Sequence, residues 1–206
     1  MAEHRPESEA ELRAIYGEVS GRAARKAIPA LDRHCIRFIE LSPFLVLGSA
    51  SPEGPADVSP KGDTPGFVRV LDSRTIAIPD RPGNRRIDSL LNIVANPHVA
   101  VIFMIPGIKE TLRINGRAHV STEPGLLDLM IEQGKRPVSA IVVEVDETYL
   151  HCAKAFIRSK LWDPEVQVER TVMPPLSKMI ADQLGDEIDV DASEKALEKA
   201  YRETLY

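Results

Sequence analysis

The chain has 206 residues, of which 43% are hydrophobic and 28% charged, with a formal charge of −5. That length supports one hydrophobic core with additions and is too short for two. The acidic balance argues against a non-specific nucleic-acid binder, which needs a basic face to displace counterions. The longest apolar run, residues 99–105, falls well short of the roughly 20 residues a spanning helix requires, so no membrane segment is expected.

Residues 1–13 mix acids and bases without the apolar stretch of a signal peptide, which points to a cytoplasmic chain. Ser8 to Glu11 has the form of a capping box, and Ala10, Leu12, Ala14 and Ile15 make the next segment a short helix. A second helix is expected near Ser20. From Ile28 onward, Leu31, Cys35, Phe38, Ile39 and Leu41 recur at helical spacing, leaving Asp32, Arg33, Arg37 and Glu40 for water. Cys35 and Cys152, the only cysteines, read as buried small hydrophobes and not as a disulfide.

The pattern changes at Pro43. Phe44-Leu45-Val46-Leu47 runs into a Gly, Ser and Pro-rich string ending at Pro55, which reads as strand, hairpin turn, strand. Further strands are predicted at 67–71, 75–78, 99–105, 111–120 and 140–149, and short turns between them suggest an antiparallel meander that closes into a barrel. In 111–120 the apolar Leu112, Ile114, Ala118 and Val120 alternate with the polar Thr111, Arg113, Asn115, Arg117 and His119. Residues 99–105 are apolar on both faces, so the outer face requires a helix or a second subunit over it, which favours a dimer. Helical spacing also predicts helices at 84–95, 124–133, 151–160, 176–184 and 191–201.

The most informative stretch is Ile78-Pro79-Asp80-Arg81-Pro82-Gly83-Asn84-Arg85-Arg86-Ile87-Asp88. A strand ends, Pro82-Gly83 turns the chain, Asn84 suits an N-cap, and two arginines fall in the expected first helical turn. Free N–H groups, the positive end of the helix dipole and guanidinium forks together suit a phosphate. Two solvated surface arginines are the plainer reading. Upstream, Ser59 and Lys61 put a hydroxyl and an ammonium near a strand end. Downstream, Trp162 lies four residues beyond Arg158, so the two stack together, cover a planar ligand, or leave Trp162 as ordinary core. No nucleotide-binding glycine motif, nucleophile elbow or C-x-x-C is present, and the five histidines lack metal-helix spacing, so neither a metal site nor a catalytic side chain is assigned.

Taken together, the Asn84-Arg85-Arg86 helix start, Asn96-Pro97-His98-Val99-Ala100-Val101, Leu112-Arg113-Ile114-Asn115-Gly116-Arg117-Ala118 and Arg158-Ser159-Lys160-Leu161-Trp162 resemble the pyridoxamine 5'-phosphate oxidase superfamily over residues 40–165. Pro65-Gly66-Phe67-Val68-Arg69-Val70-Leu71-Asp72, Ile78-Pro79-Asp80-Arg81-Pro82-Gly83-Asn84 and Arg158-Ser159-Lys160-Leu161-Trp162 look like one bacterial branch described as probable FMN-dependent enzymes. The resemblance implies a mainly β protein with α additions: a six-stranded antiparallel split β-barrel over 43–165, helical extensions at 1–42 and 166–206, and a homodimer with FMN sites at the subunit interface. It implies further that Asn84, Arg85 and Arg86 hold the FMN phosphate, that Ser59 and Lys61 lie beside phosphate or ring, and that Pro79 and Asp80 pass the ring with their backbone. Thr111 stands where the family's oxidases use Gln against the flavin. Arg158, Ser159 and Trp162 would reach the cofactor from the partner subunit. An FMN-dependent oxidoreductase acting on a small molecule is implied, the alternative being a non-catalytic flavin, deazaflavin or haem-binding protein. Family oxidases finish with a W-x-x-R and R-L-x-P type tail for the vitamer phosphate. This chain ends Tyr201-Arg202-Glu203-Thr204-Leu205-Tyr206, so pyridoxamine phosphate is not the expected substrate.

Overall fold

A computed structural model describes residues 4–19 and 21–205; the expected helix start near Ser20 lies outside the described residues. Seven strands form one antiparallel sheet: β1 (Phe44–Ala50), β2 (Ala56–Gly62), β3 (Arg69–Asp72), β4 (Thr75–Asp80), β5 (His98–Met104), β6 (Thr111–Ser121) and β7 (Ser139–His151), in the order β2-β1-β5-β6-β7-β4-β3. The six strands of the implied split barrel and the expected closure of the meander are both corrected. All seven strand segments read from the sequence pair, one more than the resemblance implies, and the edge strands β2 and β3 share no ladder, so the sheet stays open.

The sheet nevertheless curls far round. β2 is one edge and β4 lies next to the other, yet Lys61 of β2 reaches Asp80 of β4 at 2.6 Å, and Asp63 meets Arg81 at 2.5 Å. Two ion pairs thus join its ends where hydrogen-bonded closure is missing. A β-bulge between Asn115 and Gly116 sharpens the bend, since bulges increase local twist. Gly116 is needed there: a Cβ would stand 2.0 Å from the Glu144 carbonyl oxygen.

Inside the curl, alternate residues bury Leu45 and Leu47 of β1, Ile76 and Ile78 of β4, Phe103 of β5, Leu112 and Ile114 of β6 and Ile141 and Val143 of β7, all fully. Each such side chain contributes about 1.5–3 kcal/mol relative to exposure. The outer face of β5 is open instead: Ala100 is exposed and Ile102 and Met104 are half-buried.

The helices are amphipathic pieces laid on this sheet. α1 (Glu9–Tyr16) starts at Ser8, whose hydroxyl accepts from Glu11 N as the capping pattern foresees, but none of its residues is buried. α2 (Gly21–Arg25) is a single turn or so. α3 (Arg33–Leu41) buries Cys35, Phe38 and Ile39. It starts later than Ile28 because Ile28 is tied to Thr148 by two backbone bonds and Asp32 caps the helix, accepting from His34 N and Cys35 N. α4 (Asp88–Ala95) packs on β1 and β6. α5 (Pro124–Asp128) ends five residues short of expectation, because the chain reverses through Gln133 and Gly134, both at positive φ. α6 (Lys154–Ser159) begins after His151, which pairs with Thr111 and extends β7 instead. α7 (Leu176–Leu184) and α8 (Val190–Thr204) pack on each other, linked by Ser177 Oγ donating to Glu194 Oε1 at 2.5 Å. Among the described residues no helix is long and apolar enough to cross a membrane.

Candidate functional site

Strand parity builds the first part of the site. Along β2, Asp57, Ser59 and Lys61 turn inward and are half-buried, while Val58 and Pro60 turn outward and are exposed. At the β4 end, Pro79 is buried and Asp80 half-buried. Curling brings the two strand ends together around a cleft of about 370 Å³ lined by Lys61, Asp63, Phe67, Pro79, Asp80 and Arg81, with Leu205 of the C-terminal segment at its edge. The Lys61 and Asp80 side chains are each 18% exposed, so their charge-assisted bond is strong, worth about 1.5–3 kcal/mol. Asp63 is more buried still, and Arg81 both pairs with it and donates to the Met130 carbonyl at 3.2 Å. Ser59 makes no side-chain hydrogen bond among the described residues. α4 is held over the same edge by Ser89 Oγ donating to Asp57 Oδ2 at 3.1 Å and Asn92 Nδ2 donating to Ser49 Oγ at 3.1 Å.

The arginine pair needs correction. Asn84 is not a helix cap, and Arg85 and Arg86 do not lie in a helical first turn: α4 begins at Asp88, after Arg85 and Ile87 have both adopted the left-handed conformation (φ 62° and 52°). Asn84 Oδ1 accepts from Arg86 N at 3.1 Å, closing a side-chain turn that competes with helix. The three residues form an exposed loop ahead of the helix. Arg86 pairs with Asp88 at 2.8 Å, and that carboxylate raises its pKa. Arg85 has no partner among the described residues, so its guanidinium is available to an anion.

The remaining predicted residues lie elsewhere. Thr111 is buried at the start of β6 and lines a second depression, also about 370 Å³, on the outer face of the sheet. Its floor is Val46, Val58, Ala100 and Ile102, and its far wall is Arg113, His151, Cys152 and Phe156. Arg158 and Ser159 are exposed on α6 and line neither depression; Ser159 Oγ donates to the Phe156 carbonyl at 3.4 Å. Trp162 does not stack on Arg158. Its ring lies 5.3 Å from that of Phe156, and its Nε1 donates to the Ile108 carbonyl at 2.9 Å. Within one chain, then, Lys61, Pro79 and Asp80 share the cleft with Ser59 on the adjoining inward face, while Thr111 is placed on the opposite side of the sheet.

Sequence reasoning missed Asp63 and Arg81, whose pairing depends on the curl, and the outer wall of Arg113, His151 and Cys152. Arg113 was visible as part of the polar stripe of its strand. Cys152 is exposed, contrary to the reading of both cysteines as buried; Cys35 is buried, and burial raises its pKa.

The sequence matches the model of the family described as pyridoxamine 5'-phosphate oxidase over residues 31–152, more than half of the chain and all seven strands of the sheet. No curated protein matches it significantly. Solved structures similar to the chain include a putative pyridoxamine 5'-phosphate oxidase from Lactobacillus delbrueckii (16% identity, 59% of this chain and 95% of that one, TM-score 0.46). An FMN-binding protein from Syntrophomonas wolfei aligns at 11% identity over 58% of this chain and 83% of its own, with TM-score 0.43. A conserved hypothetical protein of Mycobacterium tuberculosis aligns at 14% identity over 75% of this chain and all of its own, with TM-score 0.46.

Proposed function

Because the chain belongs to the pyridoxamine 5'-phosphate oxidase family, we propose that it is an FMN-dependent oxidoreductase acting on a small molecule, with the cofactor at the end of the curled sheet. The observation that carries this reading is the cleft itself, where Lys61, Pro79 and Asp80 converge inside the region the family match covers. The donor set fits a phosphate-bearing cofactor: Arg85 carries an uncompensated charge, and the Ser59 hydroxyl is free among the described residues.

Bound flavin would supply the electron transfer, as cofactors in such enzymes do. The chain's own residues supply placement. Arg85, with Arg86 and Asn84 in the same loop, holds the phosphate through guanidinium bonds that do not depend on a helix dipole. Lys61 offers positive charge whose strength is tempered by Asp80, so the pair acts as an oriented dipole and not as a lone cation. In a homodimer, the open outer face of β5 would be covered by the second copy, and Arg158, Ser159 and Trp162 would serve the partner's site.

The absorption spectrum of freshly purified protein tests the cofactor, and titration of stripped protein with FMN measures its affinity. FMN bands and bleaching on addition of NADH or NADPH are expected. Replacing both Arg85 and Arg86 with Ala should weaken FMN binding by about tenfold or more. Protein that takes up no FMN overturns the reading, and sedimentation as a monomer overturns the dimer.

A further inference from the structure

We infer that Asp57 is a positioning residue: through Ser89 it fixes the first turn of α4, and so sets where the Arg85 guanidinium stands for a phosphate. The inference rests on the flavin reading and adds to it a residue that acts only through another.

Asp57 of β2 and Ser49 of β1 are directly paired across the ladder, and strand parity turns both side chains to the inner face. They therefore offer two oxygens side by side. Ser89 and Asn92 stand three residues apart on α4, hence on one face of the helix. Ser89 Oγ donates to Asp57 Oδ2 and Asn92 Nδ2 to Ser49 Oγ, each at 3.1 Å, and Ser49 and Ser89 are both buried. A cross-strand pair thus grips a pair on one helix face at two points, with Ile93 buried in the core beside them. Such a clamp fixes the helix in rotation as well as in distance.

Ser89 lies four residues after Arg85 and two after Ile87, both of which are in the left-handed conformation. That conformation is unfavourable for a side chain, most of all a β-branched one, so it persists only where both flanks are held. The β4 ladder holds one flank and the clamp the other. A carboxylate this close to an anion site is unfavourable by its charge. Asp88 first, then the charge of Asp57, raises the Arg86 pKa, which places Asp57 within electrostatic range of the loop. There it repels a phosphate, whereas an uncharged acceptor would anchor Ser89 without repulsion. Geometry and charge at Asp57 therefore act in opposite directions, and substitution separates them.

The test measures FMN and riboflavin affinity of the purified full chain in parallel, because the ratio of the two isolates the phosphate. Asp57→Ala should lower FMN affinity about tenfold and riboflavin affinity less than about twofold. Ser89→Ala, which removes the other side of the same bond, should match it. Asp57→Asn keeps the acceptor and loses the charge, and should bind FMN at least as tightly as wild type. Amide hydrogen exchange at residues 84–89 should quicken in Asp57→Ala and stay slow in Asp57→Asn. Equal losses of both flavins in Asp57→Ala would reduce the residue to a structural role, and equal FMN losses in the Ala and Asn variants would show that the acceptor is not what matters. Either result overturns positioning. If wild-type protein takes up neither flavin, the flavin reading falls by itself, and the exchange data still decide whether Asp57 holds the loop.

Discussion

The cleft at the sheet ends and the groove on the outer face are similar in volume and share strand β2, yet they handle charge in opposite ways. In the cleft, Lys61 and Arg81 each have a carboxylate within 2.6 Å. At the groove, Arg113 lies over the Tyr149 ring, which Lys26 also approaches, and neither cation has a carboxylate partner among the described residues. Parity along the strand makes this division, since Ser59 and Lys61 turn inward and Val58 outward. Paired charges in the cleft hold the sheet's two ends together as well as lining a site, so stability and binding are coupled there.

Several substitutions probe this contrast. The largest effect is expected from Gly116→Ala, because the added Cβ meets a backbone oxygen at 2.0 Å where no flexible side chain can yield. It should cost about 3 kcal/mol or more in urea unfolding and disturb both depressions by shifting β6 against β7. Lys61→Met should cost about 2 kcal/mol, since Asp80 loses its partner in a largely buried setting, and FMN affinity should fall with it.

Asp32→Ala removes a helix cap that lines neither depression and should cost about 1 kcal/mol without changing FMN affinity. Hydrogen bonding to Cys35 N leads the causes that lower the Asp32 pKa below its ordinary 3.8. Its contribution is therefore complete above the unfolded value and disappears as pH falls through the folded one, so wild type and variant should converge in stability in acid.

The smallest effect belongs to His151. Burial, with Lys26 and Arg113 adding to it, holds its folded pKa below 6.5. The unfolded chain thus takes up the proton first, and stability should decline as pH falls below about 6.5 until the folded value is passed. In His151→Gln that part of the pH dependence should flatten, as read by thermal melts between pH 7.5 and 5 at matched ionic strength, roughly the range in which an imidazole titrates.

Much of the fold was legible in residue order. Alternation in 111–120 foresaw which of Leu112, Ile114 and Ala118 would be buried, and the Ser8 capping box and the 176–184 helix stand where the pattern puts them. Boundaries failed where a side chain or a distant strand intervened: Asn84 bonds Arg86 and delays α4, and Thr111 captures His151 for β7. For the candidate site, chemistry at Lys61 and Asp80 was visible as residue type, but their contact was not.

By itself the sequence determined the family, the antiparallel strands and the residues available for binding an anion, because these follow from local periodicity and from motifs a few residues long. Tertiary structure alone decided that the sheet is open with seven strands, that Lys61 meets Asp80 across its ends, and that Arg113 and Lys26 converge on Tyr149. Those outcomes depend on accumulated twist and on contacts between residues 19 to 124 positions apart, which no short-range pattern encodes.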